Sequence, residues 1–404
     1  MLSAPSRILP IGSGCSSKRC DGSLARRFAI GAERDYDNAS IAGRFLSATA
    51  NPGEKRIMTL VLSCCRRAPT FALAAVFACL SLAVPTRAAT IGALGDPTAV
   101  RTLPHPPANV PRDYVVTPNG FFHPSCVQRV DAGEQLRPGA VLVRRDGTSR
   151  TVAPCAYPHY AADGTELAPE SAPMPGAAAS PAGGEINGWV AYGSYTLQRA
   201  RAARYIFAEM TVPTAPTVQS GQVVYFFPGL EDIEHVQTIV QPVLGWNAFN
   251  DGGWTIASWN CCLSGHTWHS APVVVPSGTT LEGLVVGGNC VNGVCSNWRI
   301  VTRDAVNAHD TTLDTDGYGQ AFDWVFGAVL EAYGVSQCGH YPASGEEIFS
   351  RIVVLAPQVP LASTAAVRSL QFPWSAWTTG DGVQCGYTVE PFPNVDSPQI
   401  RIGY

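Results

Sequence analysis

The sequence predicts an all-β protein whose main body is an antiparallel β-sandwich. Three observations predict it. From Glu185 onward, short β-like runs recur between Gly, Pro and Asn turn signals. Gly (39) and Pro (32) are plentiful while only 14% of residues are charged, which suits a turn-rich β protein better than a helical one. With 46% hydrophobic residues, the 404-residue chain can fill a large core.

Taken in order, residues 1–57 form an upstream extension without hydrophobic periodicity, and Met58 is an alternative start. Residues 58–88 resemble a secretory signal. Arg66-Arg67 precede an apolar run from Phe71 to Val84 and a small-residue exit near Ala88. The run is shorter than the roughly 20 residues of a membrane-spanning helix, so a secreted or periplasmic protein without a stable membrane anchor is expected.

Residues 89–160 read as a small N-terminal unit. In it Val141–Arg145 and Thr148–Val152 flank an Asp146-Gly147 hairpin turn. Residues 161–184, rich in Ala, Pro, Gly and Ser, read as a linker, consistent either with a removable pro-segment or with a tether. Residues 185–404 are the sandwich. Its expected strands are 204–212, 222–227, 238–244, 254–259, 281–286, 298–302 and 348–355. Residues 320–333 are open to either helix or strand.

Charge divides the chain at the same boundary. Residues 1–88 carry 12 basic and 5 acidic residues, whereas residues 89–404 carry 15 Arg, no Lys and 26 acids. An acidic, lysine-free body repels phosphate backbones, so no nucleic-acid partner is expected. Of the thirteen cysteines, eight lie after residue 89, an even set that reads as disulfides in an exported body. The Asn292-Gly293 turn sets Cys290 opposite Cys295 at a non-hydrogen-bonded pair, within disulfide reach. Cys126 and Cys155 are the candidate pair of the N-terminal unit. Cys261, Cys262, Cys338 and Cys385 leave three connectivities open.

Gln241, inside the apolar run Thr238–Trp246, is the chief candidate for chemistry. A buried amide needs hydrogen-bond partners or a function that repays their absence. Glu331, flanked by apolar residues, is a carboxyl whose burial favours a raised pKa, as a general base or acid requires. His266 and His269 are three apart, a poor spacing for one metal on a strand, and no metal or other cofactor is expected.

In their order along the chain, several segments carry a resemblance. They are Asn187-Gly188-Trp189, Met210-Thr211-Val212-Pro213, Phe226-Phe227-Pro228-Gly229-Leu230-Glu231, Val240-Gln241-Pro242-Val243, Val275–Leu281 and Leu330-Glu331-Ala332-Tyr333. Through them residues 187–355 resemble, remotely, the eqolisin family of glutamic peptidases. The resemblance implies a concanavalin A-like sandwich whose concave sheet holds a Gln241–Glu331 catalytic dyad. Trp259, Phe226, Phe227 and Glu231 would line the substrate groove, and the substrate would be a polypeptide. The family's second acid after the glutamine is missing, since the region here reads Ile256–Cys262. Two rival functions use the same architecture: a non-catalytic carbohydrate- or peptide-binding module, and a glycoside hydrolase working with two carboxyls.

Overall fold

The computed structural model describes residues 100–169, 184–232, 238–356, 373–392 and 397–404. The extension, the signal segment, His235 and most of the linker lie outside these residues. Thr86–Tyr404 group as one compact unit. The chain is all-β: among the described residues only short 3₁₀ turns interrupt the strands, and no helix is long and apolar enough to cross a membrane.

Two large sheets make the sandwich. The nine-stranded sheet runs in the order Ser375–Thr378, Ile186–Thr196, Trp324–Val335, Val223–Glu231, Ile239–Trp246, Trp254–Cys261, Thr267–Ser270 and Val127–Val130, with Val273–Val274 paired beside Trp254–Cys261. In the ten-stranded sheet, Tyr205–Thr211 pairs with Glu346–Leu355 and Thr280–Val291, followed by Val294–Asp304 and His309–Gln320. The stretch open to helix or strand is a strand, Trp324–Val335. Its apolar residues serve two buried faces, which erases the alternation that marks a half-exposed strand.

Period-2 alternation sorts side chains between two cores. Val224, Phe226, Leu230, Val240, Leu244, Ile256, Leu330 and Ala332 face the other sheet. Val223, Tyr225, Phe227, Ile239, Val243, Trp259, Val329 and Tyr333 face outward from the nine-stranded sheet into a second apolar cluster.

The N-terminal segment completes that second cluster. Val127–Val130 pairs in parallel with Thr267–Ser270, and Glu134–Arg137 pairs in parallel with His309–Gln320, so this segment extends both large sheets. Of the 89–160 unit, the described part from residue 100 onward therefore contributes strands to both large sheets. The Val115–Phe122 hairpin lies on the outer face, with Phe121 and Phe122 fully buried there. Burial of each ring stabilises this docking by about 2 kcal/mol.

Four disulfides close the described chain: Cys126–Cys155, Cys261–Cys262, Cys290–Cys295 and Cys338–Cys385. Of the three connectivities left open, the fold adopts the one that joins sequence neighbours. Cys290 sits opposite Cys295 with Cα atoms 3.9 Å apart, and Val291 pairs with Val294.

Candidate functional site

The strand register fixes which outward-facing side chains are neighbours. On Val223–Glu231, residues 223, 225, 227, 229 and 231 face outward. Tyr225 pairs with Glu331 on one side and Gly245 on the other. Further along, Phe227 pairs with Val329, and Glu231 lies between Trp324 and Ile239. The regular register of Val223–Glu231 with Ile239–Trp246 places Gly229 opposite Gln241. A side chain at Gly229 would run into the Phe326 ring, which lies across that glycine.

Gln241 is fully buried and pairs with Trp259 on its other side. Its Nε2 donates to the Pro118 carbonyl at 3.4 Å, and its Oε1 has no hydrogen-bond partner. The strand places it by default, because Val240 and Pro242 on either side must face the other sheet.

Glu331 is 1% exposed. The Tyr333 hydroxyl donates to its Oε1 at 2.5 Å, and its Oε2 is without a partner. Burial holds its pKa well above the carboxylate range, against the lowering effect of the Tyr333 hydrogen bond. Glu331 and Gln241 share the outer face, but two strand spacings (about 10 Å) and four residues of strand (about 13 Å) separate their backbones.

Glu231 is the carboxyl next to Gln241 in the register. It pairs with Ile239, so Gln241 is its diagonal cross-strand neighbour, within reach of long side chains. It is 1% exposed and neither oxygen has a hydrogen-bond partner among the described residues. Burial raises its pKa well above the usual range, and the negative charges of Asp232, Glu331 and Asp323 add to the rise. The nearby Arg199 pairs with Asp232 at 2.7 Å and with Asp323 at 3.7 Å.

The aromatic candidates divide. Phe227 is on the outer face, edge-on to Trp189 and Phe326, and Trp259 stacks with Phe249 and lies tilted against His269. Phe226 is not a groove residue. One position out of phase with Phe227, it packs in the core between the sheets against Trp254 and Tyr404. His266 contacts the Ala153 carbonyl at 2.9 Å and His269 the Ser270 carbonyl at 2.8 Å. No group of three or more metal-ligating side chains occurs among the described residues.

The sequence left unmarked the turn that covers the site. Tyr225 donates to the Val116 carbonyl at 3.2 Å and Gln241 to that of Pro118, while Phe121 packs edge-on against the Tyr333 ring. Asn119 Nδ2 donates to Thr267 Oγ1 at 3.1 Å. The signal was present as Asn119-Gly120 between Val115-Val116-Thr117 and Phe121-Phe122, a hairpin dipeptide between apolar runs. Tyr333 was legible too, two residues after Glu331 and so on its face.

No protein-family model matches the chain, and no curated protein matches it. Solved structures resemble it loosely. A scytalido-glutamic peptidase with a peptide-based transition-state analogue aligns at 10% identity over 53% of this chain and 97% of its own, with a TM-score of 0.35. SCP-B, a member of the eqolisin family of peptidases in a complex with the tripeptide Ala-Ile-His, aligns at 11% identity over 54% and 98%, with a TM-score of 0.35. The CBM2 module of the evolved Dit of Lactobacillus casei BL23 phage J-1 aligns at 11% over 39% and 68%, with a TM-score of 0.27. At these scores the likeness is remote and assigns no activity to the chain.

Proposed function

We propose that the outer face of the nine-stranded sheet is a polypeptide-binding hydrolytic site, that the protein is an exported peptidase, and that its own N-terminal hairpin keeps it latent. One observation carries this reading. Two side chains of the face, Tyr225 and Gln241, donate to backbone carbonyls of a single turn, at Val116 and Pro118, and Tyr333 packs edge-on against Phe121 just beyond it. Bonds to main-chain groups are a mode of peptide recognition in which any sequence can supply the partner. A glycan offers no such amide pattern.

Gln241 supplies the amide N–H for a developing oxyanion, which is the role it already plays towards a ground-state carbonyl. A carboxyl of the same face, Glu331 or Glu231, takes the proton of the attacking water and returns it to the leaving nitrogen. The amide does not titrate, so the low-pH limit of activity is set by ionisation of the carboxyl. Four disulfides fit an oxidising, extracytoplasmic environment.

Digestion of unfolded casein by the purified chain from pH 3 to 8 tests the reading, with a panel of β-glucans and xylans as the counter-arm. Cleavage of casein that survives serine- and metallopeptidase inhibitors is expected, weak from the intact chain and stronger from Gly120→Ala, in which the covering hairpin is displaced. Glycan cleavage without proteolysis would replace this reading with a glycoside hydrolase.

A further inference from the structure

We infer that Glu231, and not Glu331, is the acid–base group that works with Gln241. This inference rests on the peptidase reading and names the carboxyl which that reading leaves open.

Position comes first. Glu231 and Gln241 are diagonal neighbours on adjacent strands, while Glu331 pairs with Tyr225, two strands and four residues from Gln241. Between Gln241 and the Glu331 strand, Gly229 and the Phe326 ring fill the outer face. A water held by the Gln241 amide therefore has Glu231 as the carboxyl of an adjoining strand.

Availability comes second. One oxygen of Glu331 is engaged by the Tyr333 hydroxyl, whose ring packs against Phe121 of the hairpin. Both oxygens of Glu231 are buried and without hydrogen-bond partners among the described residues, and Arg199 is committed to Asp232 and Asp323. A carboxyl left wholly unsatisfied at 1% exposure costs stability, and such a cost persists where the group does work in another state. Burial holds the Glu231 pKa well above the usual carboxylate range, and admission of water to the face would return it towards that of a base.

The step balances without a co-reactant. Water oxygen bonds to the scissile carbonyl carbon as Glu231 carboxylate removes one water proton. The carbonyl π pair moves to oxygen, where the Gln241 N–H holds it. Collapse of the tetrahedral species re-forms C=O and breaks the C–N bond, and Glu231 delivers the same proton to the leaving nitrogen. Glu331, through Tyr333, positions the bound chain.

The test compares full-length wild type, Glu231→Gln, Glu231→Asp and Glu331→Gln, each also with Gly120→Ala to loosen the hairpin. Casein hydrolysis is read against pH and thermal unfolding is measured in parallel. Glu231→Gln is expected to lower kcat by about 10²- to 10⁴-fold with the fold intact. Glu231→Asp should recover part of that loss. Glu331→Gln should keep kcat within about tenfold and act mainly on KM, with the acid limb of the pH profile in place. Loss of kcat in Glu331→Gln with retention in Glu231→Gln would overturn the inference and leave the peptidase reading standing. Absence of proteolysis in wild type and in Gly120→Ala alike would overturn that reading, and the inference with it.

Discussion

The side-chain amide of Gln241 donates to the backbone carbonyl of Pro118, a residue 123 positions upstream, at 3.4 Å. The long reach across the chain means that the hairpin was brought to the glutamine by the docking of its whole segment. Phe121 and Phe122 supply the apolar part of that docking, and the parallel pairing of Val127–Val130 with Thr267–Ser270 anchors it. The outer face around Gln241 is thus covered by a segment of the same chain.

Gly120 is the weak point of this closure. Its φ is +90°, and a Cβ there would collide with the Tyr160 carbonyl. Gly120→Ala should therefore displace the hairpin at a cost of about 1–3 kcal/mol. Faster amide exchange confined to residues 115–122, together with a rise in casein hydrolysis, is the expected outcome. Unchanged exchange would show that Gly120 does not control the cover.

Gln241 should matter little for stability. Its single hydrogen bond is long, and its Oε1 is a buried acceptor with no donor. Replacing such a group by an apolar one of similar shape is close to neutral or stabilising. Gln241→Leu is expected to unfold within about 1 kcal/mol of wild type while hydrolysis falls by about 10²- to 10³-fold. A large drop in thermal stability would instead make the glutamine a structural residue.

A buried carboxyl away from the site gives a pH signature of its own. Glu347 accepts from the Thr211 N–H at 2.9 Å, yet burial dominates and raises its pKa to about 8. The folded value lies above the unfolded one of 4.5, so the stabilisation is complete below pH 4.5 and is lost as pH rises through 8. Glu347→Gln should flatten the fall in Tm between pH 5 and 8, measured by thermal scans at fixed ionic strength. An unchanged slope would assign that fall to other groups.

Much of this arrangement was legible before the fold was known. Alternation and turn residues marked the sandwich strands, and Asn292-Gly293 set Cys290 against Cys295. Gln241 stood out because an amide between Val240 and Pro242 violates the apolar pattern. Register was not legible. Glu331 stood out because its flanks are apolar and was paired with Gln241 through the family resemblance, while the flanks by themselves say only that the strand is buried on both faces. The pairing of Tyr225 with Glu331 and of Glu231 with Ile239 arises from long-range strand order, which no local pattern encodes. Phe226 and Phe227 were indistinguishable for the same reason, since a one-residue phase change exchanges the two faces. The N-terminal segment read as separate because its strands are short and its partners lie more than a hundred residues away.

The opposite pH dependence should appear where that segment joins the sheet. His269 lies on Thr267–Ser270, packed against Trp259 and Phe249, with Arg129 of the adjoining N-terminal strand beside it. Burial, aided by the Arg129 charge and opposed by the Ser270 carbonyl, lowers its pKa to about 4. The folded value lies below the unfolded 6.5, so the unfolded chain binds the extra proton first, and stability present above pH 6.5 is lost as pH falls towards 4. Glu331 carries the contrary sign, because its burial beneath Tyr333 and the hairpin raises its pKa and acid therefore favours the covered face. His269→Gln removes one side of this contest. The variant should lose less stability than wild type between pH 6.5 and 4, and exchange at residues 127–130 should become less sensitive to acid. If acid loosens that strand equally in both proteins, His269 is not the group that senses it.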